Sequence, residues 1–135
     1  MIEFFMPMHP PTATHQEKQV AFKEGGKPVF YDPPDVRDAR AKLTAHLAKY
    51  RPDKPLNCGV RLTVKWCFRD HTGKHKDGEY HTKKPDTDNL IKLLKDCMTV
   101  LGFWTDDCRV VSEHCEKFWV TTSPPGIYIK IEELP

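Results

Sequence analysis

The sequence lacks long apolar runs, which argues against insertion into a membrane. No stretch of the 135 residues approaches the roughly 20 apolar residues that a membrane helix needs. The apolar start of the chain, residues 1–8, is too short and too quickly interrupted by proline for a signal peptide. We therefore expect a cytoplasmic protein without a membrane partner.

Paired cysteine spacing is also missing, which argues against a disulfide framework or a zinc ribbon. The five cysteines are an odd number and are spread along the chain. Cys108, His114 and Cys115 form the one tempting zinc group, but adjacent residues on a strand point to opposite faces. We expect reduced thiols.

The chain has little excess charge of either sign. Its formal net charge is +2, so a nucleic-acid-binding function must be argued from local charge. The hydrophobic fraction of 39% and the charged fraction of 30% are ordinary for a soluble globular protein. At this length one domain, residues 1–135, is the expectation.

The first half of the chain predicts a strand, a hairpin and a helix. Residues 2–6 form an apolar run that ends in prolines, which impose an extended path. Residues 20–22 and 29–31 flank KEGGKP, where Gly25 and Gly26 permit a tight reversal. Residues 34–50 carry apolar side chains at helical spacing.

The second half predicts strands around a second helix. Residues 56–68 alternate strictly between apolar and polar types, as in a half-buried strand. Residues 69–84 are almost free of aliphatic side chains and predict a long mobile loop. A helix is expected from about 89 to 101, followed by strands at about 109–120 and 127–132. The resulting order, β-ββ-α-β-α-β-β, predicts an α+β two-layer fold with two main helices packed on a mixed sheet.

Acidic residues concentrate on both sides of the second helix. Asp86 and Asp88 lie at its entrance, and Asp88, Lys92 and Asp96 share one side because residues four apart stack. Each has an ordinary structural interpretation, as a helix cap or as part of a salt-bridge row. A second acidic pair in FWTDD, residues 103–107, follows the helix. Spacing alone does not show whether the two pairs meet.

The segment KPDTDNLIKLLKDCMTVLGFWTDDCRV, residues 84–110, resembles the signature of the RusA family of Holliday-junction resolvases. The order of elements around it is similar to that family too. The resemblance implies that Asp86, Asp88 and Asp107 are metal-binding carboxylates and that Lys92 is a catalytic lysine. Asp96 and Asp106 match further acidic positions of the family pattern. Some members carry arginine directly before the first aspartate, where this chain has Pro85 with Lys83 and Lys84 just upstream, so the resemblance carries over the catalytic residues better than the DNA contacts.

The resemblance implies a metal-dependent endodeoxyribonuclease that resolves Holliday junctions by paired, symmetric cleavage during DNA recombination or repair. It also suggests a phage or another mobile element as the setting. Aspartate oxygens suit Mg²⁺, with Mn²⁺ as a substitute, and no organic cofactor is expected. Two symmetric cuts in four-way DNA require two sites related by a twofold axis, which implies a homodimer. Five aromatic residues are candidate interface anchors, with core packing as the alternative: Trp66, Phe103, Trp104, Phe118 and Trp119.

The 69–84 segment is the best candidate for gripping DNA phosphates, because it holds five permanent cations. These are Arg69, Lys74, Lys76, Lys83 and Lys84. The alternative is an ordinary solvated loop, since acidic residues offset much of this charge.

Three other functions are alternatives to this interpretation. A catalytically silent protein that binds branched DNA would keep the acidic residues for structural reasons. A nuclease of the same chemistry could act on flaps or forks. A sugar-nucleotide transferase with an acidic DxD motif lacks the expected length and nucleotide-binding pattern.

Overall fold

The elements follow the predicted order in this computed structural model, which describes residues 1–14, 19–22, 26, 28–31 and 34–135. The strands and helices are β1 (Ile2–Pro7), β2 (Gln19–Phe22), β3 (Pro28–Tyr31), α1 (Pro34–Leu47), β4 (Val60–Arg69), α2 (Thr87–Val100), β5 (Val110–Val120) and β6 (Gly126–Glu133). Single 3-10 turns follow α1 and precede β5. The predicted α+β fold is confirmed.

The main sheet has the strand order β1-β6-β4-β5 and is mixed. β6 pairs antiparallel with both β1 and β4, whereas β4 pairs parallel with β5. A parallel pair needs a crossover, and α2 supplies it. α2 therefore runs back along the sheet, beginning near the end of β4 and ending near the start of β5.

One face of this sheet and the two helices enclose the core. The alternation in β4 places five side chains in the interior, namely Val60, Leu62, Val64, Trp66 and Phe68. α2 contributes a broad apolar face, with Leu90, Ile91, Leu93, Leu94, Cys97 and Met98 buried. Side chains of this size stabilise a fold by ~1.5–3 kcal/mol each when fully buried. The core thus fixes the position of α2 on the sheet.

β4 begins at Val60, later than the predicted start at residue 56. The backbone of Leu56 instead bonds to the segment after α2, donating to Phe103 (3.0 Å) and accepting from Thr105 (3.0 Å). Leu56 forms an isolated parallel bridge with Trp104 there. The alternation of apolar and polar residues begins at Leu56, before the first residue of β4. The pattern therefore predicted a strand that is too long.

The segment between β4 and α2 packs along β5 and is not the free, mobile loop that the sequence predicted. Gly78 donates its backbone N–H to Trp119 (2.8 Å), and Glu79 accepts from the same residue (2.7 Å). His81 donates to the carbonyl of Lys117 (3.0 Å). These bonds add a short edge segment to the sheet beside the second half of β5.

Two aspartates hold this segment in shape. Asp70 is buried and accepts hydrogen bonds from the backbone N–H (2.9 Å) and hydroxyl (2.7 Å) of Thr72. Asp77 accepts from Thr121 (2.8 Å) and from the hydroxyl of Ser123 (2.6 Å). Hydrogen bonding lowers the pKa of both carboxyls, so both stay ionised. The composition of residues 69–84 predicted a mobile loop, because the side chains that hold these turns by hydrogen bonds are polar.

The predicted hairpin is confirmed as a separate two-stranded antiparallel sheet of β2 and β3, with Gln19 opposite Tyr31. Gly26 adopts a φ of +81°, as a tight reversal requires. Gly25 lies outside the described residues.

Three of the five candidate anchor aromatics belong to the core. Trp66, Phe103 and Trp104 are fully buried, whereas Phe118 and Trp119 are half-buried. All five cysteines are free thiols, as predicted. Among the described helices, none is both long and apolar enough to cross a bilayer.

Candidate active site

The first acidic pair lies at the start of α2. Asp86 is the residue before the helix, in an extended conformation, and its side chain makes no capping hydrogen bond. Asp88 lies in the first turn, and its Oδ1 accepts from the backbone N–H of Asn89 (2.9 Å). Both side chains are exposed. The capping alternative therefore does not account for the Asp86 carboxylate.

Lys117 of β5, which the sequence did not mark as functional, holds the backbone just before this acidic pair. Nζ of Lys117 donates to the carbonyl oxygens of Lys83 (2.5 Å) and Pro85 (2.7 Å). The Lys84–Pro85 peptide bond in this turn is cis. No local pattern marks Lys117, because its partners are backbone carbonyls from a distant part of the chain.

The predicted row of alternating charges along α2 does not form a salt-bridge row. Lys92 is exposed and makes no ion pair within the described chain. Asp96 pairs instead with Arg40 of α1 (3.5 Å). The ammonium of Lys92, one turn beyond Asp88, is therefore available to an external anion.

Asp86 opens into a surface cleft of about 600 Å³, here called the Asp86 cleft. It lies between the N-terminal segment and the starts of both helices, and its lining residues are Thr12, Ala13, Thr14, Asp35, Lys84, Pro85, Asp86 and Asn89. Asp35, an acidic residue in the first turn of α1, is thus a further carboxylate in the same cleft as Asp86. Its Oδ1 accepts from the N–H of Val36 (3.0 Å).

The second acidic pair lies in the 3-10 turn before β5. Asp106 accepts a hydrogen bond from the N–H of Cys108 (3.3 Å). The side chains of Asp106 and Asp107 also share a hydrogen bond, which lowers the pKa of Asp106 and raises that of Asp107. Lys95 opposes the rise at Asp107, and Asp96 adds to it. Both of these charges belong to the second half of α2.

The two acidic pairs are separated along α2. Asp96, whose charge raises the pKa of Asp107, is eight residues beyond Asp88. Eight residues span about 12 Å along a helix axis. Across the described residues, no three acidic, histidine or cysteine side chains lie close enough to hold a metal ion. The structure brings together Asp86 with Asp88, and Asp106 with Asp107, but it does not gather all of the predicted ligands. Their shared role stays a prediction.

The chemistry of the first pair nevertheless suits a hard divalent cation. Mg²⁺ binds proteins through one or two carboxylates and keeps several of its waters. Asp86 and Asp88 offer two such carboxylates, exposed and on one turn of chain. A complete set of protein ligands is not required for binding of this kind.

The five candidate DNA-binding cations divide into two groups. Arg69, Lys83 and Lys84 line one pocket next to the Asp86 cleft. Lys74 and Lys76 are exposed on the same segment but do not line that pocket. The candidate interface with DNA is thus concentrated near the start of α2.

Comparison with known proteins gives a match over nearly the whole chain. A sequence model of the family described as Endodeoxyribonuclease RusA matches residues 8–132. The curated "Crossover junction endodeoxyribonuclease rusA" of Lactococcus phage r1t is 31% identical over 134 residues, covering 98% of each chain.

Proposed function

The chain belongs to the RusA family of endodeoxyribonucleases, and from that premise we propose that it resolves four-way DNA junctions by metal-dependent hydrolysis of phosphodiester bonds. The name of the phage relative supports a crossover junction as the substrate. The match covers almost all of both chains. The same relative supports a role in recombination or repair, in a phage setting.

The catalytic proposal rests on the exposed, uncapping carboxylate of Asp86. Its carboxylate is exposed in a cleft and is not used to cap α2. Caps are the usual role of an aspartate at this position, and losing one costs ~1 kcal/mol. A carboxylate held at a helix start without that role, beside Asp88, is suited to binding a cation.

We assign Asp86, Asp88 and Asp107 as the carboxylates that hold Mg²⁺ or Mn²⁺. When bound, such an ion would polarise the scissile phosphate and lower the pKa of a water. Asp86 and Asp88 are supported by their proximity at the start of α2. Asp107 rests on the family pattern, because it lies in the turn before β5 and not at the start of α2.

Lys92 is assigned the stabilisation of negative charge on the phosphate during cleavage. Its ammonium is a compact point charge on a flexible stem, and no ion pair holds it in the described chain. Asp96 and Asp106 are proposed as supporting acids. Asp96 orders Arg40 against α2, and Asp106 shares its hydrogen bond with Asp107.

We further propose a homodimer, because symmetric cutting of a four-way junction needs two equivalent sites. Phe118 and Trp119 are the candidate anchors that the fold leaves half-buried. Sedimentation of the free protein and of its junction complex tests this part independently of catalysis.

The function is tested by offering junctions, forks, flaps and linear duplexes side by side, with Mg²⁺ or Mn²⁺. We expect paired cuts in junctions, and no cutting by Asp86→Asn or Asp88→Asn despite retained junction binding. Asp53→Asn, an exposed aspartate away from the Asp86 cleft, is the charge-matched control and should cut normally. Preferred cutting of flaps or forks would replace the substrate. Junction binding without cutting under all conditions would favour the silent binding protein.

A further inference from the structure

A second pocket, next to the Asp86 cleft, is lined by positive charge without a carboxylate. It has a volume of about 480 Å³ and is here called the basic pocket. Its charged or titratable lining residues are Arg69, Lys83, Lys84, His9, His71 and His81. Phe68 and Trp119 complete the wall toward the sheet.

This separation of charge is unusual for the molecule. Its basic and acidic residues nearly balance, at 21 against 19. Four other clefts on the described surface each include at least one aspartate. Asp70, which adjoins Arg69 in sequence, is turned away into hydrogen bonds with Thr72 and His75. A concave site lined by one sign of charge focuses its potential on ligands of the opposite sign.

The pocket is held in shape before any ligand arrives. The buried ring of His81 packs against Trp119, with centroids 4.0 Å apart, and against Phe68, at 4.6 Å. Its Nδ1 accepts from the backbone N–H of Lys83 (3.3 Å). The guanidinium of Arg69 donates to the carbonyl of Thr121. A preformed site spares a ligand part of the entropic cost of ordering it.

The imidazoles of the pocket differ in their roles. Burial, and secondarily the charge of Lys117, lower the pKa of His81 below its ordinary 6.5, so this ring is neutral at physiological pH. His81 therefore contributes shape and a hydrogen-bonding edge. His9 and His71 are exposed at the rim, where they can donate N–H groups to an anion.

The basic pocket continues into the Asp86 cleft. Thr12 and Lys84 line both. A nucleic-acid strand is a chain of evenly spaced phosphates, so a strand with one phosphate beside Asp86 has neighbouring phosphates available to an adjoining pocket. Arginine and lysine are the residues that most often contact such phosphates.

We propose that the basic pocket is a second phosphate subsite, which binds a backbone phosphate of the DNA strand next to the one that is cut. This inference rests on the proposed function only in taking DNA as the source of the phosphate. Arg69 and Lys83 supply the charge, His71 and His9 supply donors at the rim, and Lys84 joins the subsite to the Asp86 cleft.

The test measures junction binding without divalent metal, so that catalysis plays no part. The pocket variant is Lys83→Gln with His71→Gln, both exposed positions. The matched control is Lys74→Gln with Lys76→Gln, which alters the same segment outside the pocket. Affinity is measured from 50 to 200 mM salt, and each phosphate contact contributes about 0.9 to the slope of log affinity against log salt for duplex DNA.

We expect the slope of log affinity against log salt to be smaller by about one in the pocket variant. Between 50 and 200 mM salt, the affinity of the variant should therefore fall by a factor about three to four times smaller than that of the wild type. The control pair should keep the wild-type slope. Equal losses in both variants would show a diffuse charged surface, and unchanged slopes in both would show no phosphate contact. Either result overturns the subsite.

A second measurement separates the possible sources of phosphate. The imidazole NMR signals of His71 and His81 are followed while inorganic phosphate or a junction is added. Shifts with the junction in the wild type, lost in Lys83→Gln, support the proposal. If the imidazole signals shift with inorganic phosphate while the pocket variant keeps the wild-type salt slope for DNA, the pocket binds free phosphate. That result overturns the proposed DNA subsite. Because no cutting is measured, a protein that never cleaves junctions could still pass, so the two proposals fail separately.

Discussion

Lys117 of β5 donates a 2.7 Å hydrogen bond from Nζ to the carbonyl oxygen of Pro85, the residue directly before Asp86. The same ammonium bonds to the carbonyl of Lys83. One side chain of the sheet thereby fixes the turn that presents Asp86 to its cleft and Lys83 to the basic pocket. Lys117 is a positioning residue, since it acts through the backbone of its neighbours.

Lys117→Met should reduce junction cleavage by about ten- to a hundredfold, the usual range for residues that orient a metal ligand. The methionine keeps the length of the side chain but cannot donate to the two carbonyls. The rate of cleavage and the affinity for Mg²⁺ are measured together, and both should fall. Lys117→Arg, which can still donate, should restore part of the activity. A loss of thermal stability with unchanged metal affinity would mean that Lys117 is merely structural.

Lys92→Gln should abolish cutting while stability and junction binding stay close to those of the wild type. The side chain is exposed and makes no ion pair in the described chain, so removing its charge breaks no contact of the fold. Cleavage of a labelled junction is compared with binding in the absence of divalent metal. Lys42→Gln, an exposed lysine on α1, is the control. Normal cutting by Lys92→Gln would remove its catalytic role.

Asp107→Asn provides the strongest test of the three-carboxylate assignment, because Asp107 lies in the turn between the end of α2 and β5, whereas Asp86 lies at the start of α2. If it shares the ion, its substitution should weaken Mn²⁺ binding about as much as Asp86→Asn or Asp88→Asn does. Titration calorimetry with the metal alone gives these affinities. Wild-type affinity in Asp107→Asn would limit the protein ligands to the pair at the start of α2.

Asp70 should make the stability of the fold sensitive to acid. Hydrogen bonds, first from the Thr72 side chain, lower its pKa below the ordinary 3.8. In the folded protein the ionised form is thus favoured, so the stabilisation is complete above pH 3.8 and is lost as the pH falls through the lower folded value. Urea unfolding should show Asp70→Asn destabilised at pH 7, with the difference from the wild type narrowing below pH 4. A pH-independent difference would contradict this linkage.

Periodicity predicted the parts of the fold that depend on burial alone. The alternating stretch in β4 and the apolar face of α2 each have one side against the core, so their patterns follow from the geometry of strand and helix. The predicted start of β4 was too early, because Leu56 keeps the alternation while its backbone bonds to residues 103–105. A pattern of side chains does not reveal which backbone a residue pairs with.

The candidate site was predictable in its residues but not in its arrangement. The resemblance identified Asp86, Asp88, Lys92 and Asp107, yet the parallel pairing of β4 with β5 sets the two acidic pairs near opposite ends of α2. Lys117 and Asp35 escaped notice because their roles arise only from tertiary contacts. The polar residues of the 69–84 segment predicted solvent exposure. Asp70 is nevertheless buried, because it accepts hydrogen bonds from Thr72 in the same turn.

The pairing of β1 with β6 joins the two ends of the chain. In the described sheet, β6 is the sole neighbour of β1 and is synthesised after the other three strands. β1 therefore has no partner until β6 has been synthesised, and its buried Met6 cannot reach its final environment before then. Contacts of such long sequence separation slow folding, so a chain truncated before β6 should expose an unpaired strand edge and aggregate.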